Sequence, residues 1–219
     1  VWAKQFKSDA GSCYGYGIDV DTSGNVYVTG QYASTVDFDP GSGVTELSSS
    51  DSDVFILKLS SNGQFQWVKG FGGNDNGDEG NAVKVDSANS AVYVGGMFES
   101  DSGGIDFDGN GSADVVPTSG QSDGTSTESG DDIGFIAKFS LDGAHQWTRI
   151  LLGDSNDGSD EDCYVADIDI DSGGNVYGAG SGDYNIDFDP GLTAGENAFS
   201  NRPDDGDDFA FIVKLDSSG

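Results

Sequence analysis

One pattern is written three times along the 219 residues of this chain, and any fold the chain adopts has to use it three times. The first copy reads GIDVDTSGNVYVTGQY (17–32), passes through DFDPG (37–41) and continues as DVFILKLSSNGQFQWVKGFGG (53–73). The second reads NAVKVDSANSAVYVGGMF (81–98), then DFDGNG (106–111), then GFIAKFSLDGAHQWTRILLG (134–153). The third reads DIDIDSGGNVYGAGSG (167–182), then DFDPG (187–191), then FAFIVKLDSSG (209–219), and stops at a turn.

Within each copy, short runs of alternating apolar and polar residues are separated by DTSGN, DSANS or DSGGN and by SSNG or SLDG, where chain reversal needs a positive φ or a side-chain cap. One copy is therefore two hairpins, a four-stranded antiparallel unit, and such units repeated along a chain are propeller blades more often than sandwich halves. No apolar residues recur at helical spacing over three turns, so an all-β fold is expected. The third copy lacks its last strand. The residues that match it, VWAKQFK (1–7), stand at the front, with Trp2 in register with Trp67 and Trp147. The expectation is one β-propeller-like domain over 1–219, with copies at about 8–73, 74–153 and 154–219 plus 1–7, in which the N-terminal strand completes the last blade. A ring closed within the chain is the leading form. A fragment of a larger propeller, and donation of residues 1–7 to a neighbouring molecule, stay open beside it.

Charge narrows the partners. Asp and Glu outnumber Lys and Arg 39 to 9, a formal net charge of −30, which excludes nucleic acid and anionic membrane surfaces and favours cations. A high-salt habitat is an alternative reason for such a surface; the regular aromatic spacing argues against disorder. No run approaches the ~18 apolar residues of a membrane span, so no membrane insertion is expected. The chain opens on Val1 with no visible signal peptide, which leaves a removed leader and a longer parent polypeptide as equal readings.

The phrases GNVYVTG, DFDPG, DVFILKL and QWVKGFGG resemble the bacterial β-propeller repeat called the SBBP repeat, in the form found in large secreted and surface proteins, and the inner hairpin is also similar to NHL-type propeller repeats. The resemblance covers all three copies. It implies the propeller fold and, since most members lack an assigned activity, little about chemistry; NHL-type repeats bind partners.

The second copy carries the sharpest ligand motif: Asp106, Asp108, Asn110, Gly111, Ser112 and Asp114, in the order D-x-D-x-N-G-S-x-D. Oxygens at alternate loop positions with a glycine at the sixth suit Ca2+, and because Pro117 replaces the twelfth-position glutamate of a helical calcium hand, the loop looks like those between strands in integrin-type propellers. In the other copies Asp37 with Asp39 and Asp187 with Asp189 keep only the first two carboxylates, followed by Pro-Gly. In an extended D-F-D both acids point one way and Phe38, Phe107 or Phe188 the other, so the ring anchors the loop and the acids face outward, with or without a metal.

Cys13 and Cys163 occupy the same place in their copies, eight residues before Asp21 and Asp171, with Asp78 at that place in copy two. In a ring of three, blades one and three are neighbours, so a disulfide between them is expected, two buried thiols being the alternative. Catalytic signals are weak: the single histidine, His145, is read as a surface strand residue, and no nucleophile elbow, zinc pair or phosphate loop is present. Asp19 and Asp169 are expected to face Lys84 in the channel. The expected function is a secreted or cell-surface, calcium-stabilised structural or adhesive module, not an enzyme, that self-associates into an extracellular filament. A glycan- or protein-binding propeller using Tyr14, Tyr16, Tyr32 and Tyr184 is the alternative, and a metal-dependent propeller hydrolase or lactonase the weakest reading.

Overall fold

The computed structural model describes residues 1–8, 10–73, 77–99, 105–108, 132–153, 162–183, 186–188 and 208–219. These form thirteen strands in antiparallel sheets and no helix. Blade one is β2 (Cys13–Val20), β3 (Val26–Asp37), β4 (Glu46–Leu59) and β5 (Phe65–Phe71), with the short β1 (Lys7–Ser8) added to β3. Blade two is β6 (Glu79–Asp86), β7 (Ala91–Glu99), β8 (Asp132–Ser140) and β9 (His145–Gly153). β12 (Ile186–Asp187) pairs with the far edge of β9. Among the described residues, blade three is β10 (Cys163–Ile170), β11 (Val176–Gly182) and β13 (Phe209–Leu215).

The inner turns are built from the DTSGN-type motifs. Asp21 accepts the backbone N–H of Ser23 and of Asn25 at 2.9 and 2.8 Å and the Asn25 side-chain amide at 2.8 Å. Asp171 repeats this on Gly173 and Asn175 and also accepts the Tyr177 hydroxyl at 3.0 Å. Glycine supplies the positive φ that these bends need, at Gly24 (80°) and Gly174 (78°).

Each blade has a front face towards the preceding blade and a back face towards the next. Phe135, with no exposed surface, points forward into the cluster shared by blades one and two, beside Phe71, Phe98 and Phe107 at 5.9, 6.1 and 5.8 Å between ring centres. Its equivalents are Phe55 on the front of blade one and Phe211 between blades two and three. Ile56 and Ile136 point backward and are fully buried by the next blade.

Tryptophan ties each blade to the one after it. The Trp67 indole N–H donates to Leu141 O at 3.1 Å, and Lys58 Nζ reaches the same carbonyl at 2.9 Å. One blade on, Trp147 and Lys138 repeat the arrangement at Ser217 O, at 3.4 and 2.9 Å. The indole lies on the turn glycine, Gly143 under Trp67 and Gly219 under Trp147, where a Cβ would stand 3.1 and 3.0 Å from the ring. Gly143 also has φ 82°. Replacing it with alanine is expected to cost about 1–2 kcal/mol from the left-handed backbone alone, read as a lowered midpoint in chemical denaturation.

The N-terminal strand follows the same rule, and this corrects the expected ring closure. Trp2 Nε1 donates to Ser61 O in the turn of blade one at 3.1 Å, over Gly63. Trp2 therefore sits towards blade one as Trp67 sits towards blade two, but it is not beside Phe211 and Lys214, and among the described residues β13 pairs only with β11. Among the described residues, blade three stays three-stranded. The physical reason is angular: β2 and β10 each pack on β6, so three blades held at this spacing make an arc whose two ends do not meet.

Candidate functional site

The DFD segments act between blades. In copy three, Ile186 and Asp187 pair with Gly153 and Leu152 at the end of the preceding blade's last strand. In copy one, Val36 and Asp37 pair with Ser8 and Lys7 in the same register. Residues 1–8 thus hold the last-strand position of a preceding blade by two independent links, the tryptophan and this ladder.

The central phenylalanine anchors the segment, as its alternation implied. Phe38 packs on Phe55 at 4.8 Å, Phe107 on Phe135 at 5.8 Å and Phe188 on Phe211 at 4.9 Å. The carboxylates of copy one behave differently from expectation. Asp37 Oδ1 accepts the N–H of Asp39 and of Thr45 at 3.0 and 2.9 Å, and Asp39 Oδ1 accepts Gly41 N–H at 2.7 Å. They close successive turns instead of facing outward together, because an aspartate two residues before a free N–H satisfies it at once. Among the described residues no three acidic, histidine or cysteine side chains converge on a metal position. In copy two, Asp106 is half-buried and Asp108 exposed; Asn110, Ser112 and Asp114 lie outside the described residues, as do Asp189 and Tyr184.

Both cysteines are free thiols, which corrects the expected bridge. Cys13 packs with the front face of blade one, and Cys163 is buried between blades two and three, its thiol pushed up to about 12 by burial. With the arc open, their strands stand on opposite sides of β6.

Asp78, at the cysteine position of copy two, is fully buried and accepts Gly73 N–H at 2.7 Å and Glu99 N–H at 3.1 Å. Burial nevertheless raises its pKa to about 8, and burial raises that of nearby Asp53 as well. A carboxyl that holds its proton more tightly folded than at the unfolded value near 4 stabilises the fold below about pH 4, and that stability is lost as pH rises through about 8. The turn carboxylate Asp171, held down near 2 by its hydrogen bonds to Asn175, acts with the opposite sign, losing its contribution as pH falls from about 4 towards 2. The melting temperature is therefore expected to fall between about pH 5 and 8.5, and Asp78→Asn to flatten that slope in a pH series of thermal melts.

Lys84 pairs with Asp169 at 3.1 Å, and Asp19 Oδ2 accepts Val85 N–H at 2.8 Å, so these three do meet around β6, beside an open arc and not within a closed channel. His145 is half-buried at the start of β9: its ring stacks on Phe107 at 5.4 Å and meets Phe139 at 5.5 Å, with Nε2 on Thr148 Oγ1 at 2.9 Å. Of the aromatics expected to bind a ligand, Tyr14 and Tyr16 are exposed and stacked 6.3 Å apart, whereas Tyr32 is buried and donates to Asp53.

What the pattern missed is where the chain stays open. Val83 and Ile168, on the front faces of blades two and three, are 6% and 4% exposed; their equivalent on blade one, Ile18, is 69% exposed. On the back face of blade three, Ile212 is 80% exposed, against zero for Ile56 and Ile136. Each side chain was identifiable by register, but only the arc shows which copies lack a neighbour.

A family model described as a beta-propeller repeat, SBBP, matches residues 1–31. That stretch begins with the tryptophan strand and ends in β3, so the matched unit is a last strand followed by the next inner hairpin. No curated protein matches the chain.

Proposed function

We propose that this chain, an SBBP-type β-propeller repeat protein, is a structural module of the cell surface or extracellular space whose open ends are completed by a second copy joined head to tail. The observation that carries this reading is the split clamp. In blades one and two a lysine and a tryptophan share the next blade's turn carbonyl. At the ends the two are separated: Trp2 already holds Ser61 O, while Lys214, over the Tyr177 ring at 5.4 Å, extends from the back of blade three. Transferring the register Lys58↔Trp67 and Lys138↔Trp147 sets Lys214 opposite Trp2 of the next copy, Val213 opposite Ala3 and Ile212 opposite Lys4. The donated strand supplies the missing fourth strand of blade three and covers an exposed sheet edge.

A head-to-tail contact closes when its rotation closes and otherwise runs on as a filament. Two copies hold six blades, a number at which propellers close. Sedimentation velocity over a concentration series tests the reading: a dimer plateau marks the ring, steady growth marks the filament, and a monomer at every concentration overturns the proposal.

Calcium is proposed for the loop starting at Asp106. Its support is the spacing of Asp106, Asp108, Asn110, Ser112 and Asp114 and the burial of Phe107, which fixes the loop's base on blade two. Calcium there would also relieve repulsion in a chain of net charge −30. EGTA is expected to lower the melting temperature by several degrees, reversed by added calcium; unchanged melting removes the metal.

A further inference from the structure

The three inner strands each carry a β-bulge at the same repeat position. The ladder of β2 skips Tyr16, that of β6 skips Asn81 and that of β10 skips Ala166. A bulge re-aims a side chain and strengthens local twist. All three bulged residues line one cleft of about 470 Å3, together with Glu79, Met97, Asp132 and Tyr164. The volume lies within the usual range for small-ligand sites.

The cleft has a definite chemical bias. Tyr16 and Tyr164, 45% and 39% exposed, come from blades one and three and present aromatic surface. Between them the polar wall is rich in acceptors. Glu79 and Asp132 contribute carboxylates, and Asn81 spends its amide N–H on Val165 O at 3.2 Å. Among the described residues that line it, none is lysine or arginine, and Lys84 is engaged with Asp169. Burial raises the pKa of Glu79, and burial first and the charge of Glu79 second raise that of Tyr16, which lines the same cleft. An acceptor-rich wall, aromatic sides and a net charge of −30 around it call for a ligand that brings both donors and positive charge.

We propose that this cleft binds an alkylammonium group, such as a free amine or the side chain of a lysine, with the nitrogen donating to Glu79 and Asp132 and the alkyl stem lying against Tyr16 and Tyr164. The site differs from the head-to-tail surfaces, since all its lining residues come from one chain, on β2, β6, β7, β8 and β10.

The test uses the full chain and titrates n-butylammonium chloride, the peptide Gly-Lys-Gly, n-butanol as the neutral isostere and cellobiose as a neutral saccharide, at constant ionic strength, followed by calorimetry. The expected result is saturable binding of butylammonium and no binding of n-butanol, with the tighter of butylammonium and the peptide telling a free amine from a lysine side chain. Tyr16→Ala, Tyr164→Ala and Glu79→Gln should each weaken it about 3- to 10-fold, with unchanged circular dichroism. Glu46→Gln, an exposed acid at the outer end of β4, removes the same charge and should leave affinity unchanged. Non-saturable uptake, equal effects of Glu79→Gln and Glu46→Gln, or binding of cellobiose in preference to butylammonium would each overturn the proposal.

Discussion

Truncating Phe135 to alanine is expected to destabilise the fold by about 3–5 kcal/mol, measured as a shift in chemical denaturation. The ring has no exposed surface and meets Phe71 from blade one and Phe98 and Phe107 from blade two. Its removal opens a cavity lined by two blades and unseats the DFD anchor, so neither blade can relax alone to fill it. The same truncation at Phe211 is expected to cost less, because Phe211 is 8% exposed and blade three is a strand short. Equal losses at the two positions would mean that the shared cluster contributes nothing beyond the single side chain.

The second large effect concerns association. Ile212→Lys is expected to weaken head-to-tail joining by roughly 30-fold or more while leaving the monomer's melting temperature within about 1 °C. A fully buried isoleucine contributes on the order of 2 kcal/mol, and a lysine there must also be desolvated. At 80% exposure Ile212 packs against almost nothing in the isolated chain, so the loss falls on the contact alone. A monomer that melts earlier, or an association constant that does not move, would separate this face from assembly.

The inner hairpins, the turn aspartates and the anchoring phenylalanines were legible in the sequence because each depends on neighbours within a few residues: Asp21 with Asn25, or Phe38 between two acids in an extended run. The matching of Trp2 with Trp67 and Trp147 was also legible, as was the position it implies. Its partner was not. A tryptophan that docks forward onto the next turn looks the same in sequence whether or not a blade stands behind it, and the angle between blades is set by packing of whole faces. The cysteine pairing failed for the same reason, since it presumed that blade three returns to blade one. The roles of Asp37 and Asp39 were missed because carboxylate spacing suits a cation and a pair of backbone N–H groups equally well. The bulges at Tyr16, Asn81 and Ala166 left no mark in composition or alternation, which is why the cleft they line went unread.

The head-to-tail register can be tested with engineered thiols. With Cys13 and Cys163 replaced by serine, a chain carrying Ala3→Cys is mixed with one carrying Val213→Cys under mild oxidation. Residues 1–8 standing as the last strand of a preceding blade predict a disulfide joining one chain of each kind and, when both substitutions share one polypeptide, a doubly bonded dimer where the ring closes or a ladder of joined chains where the contact runs on as a filament. A bond that forms within single chains at every concentration, or none at all, would contradict it.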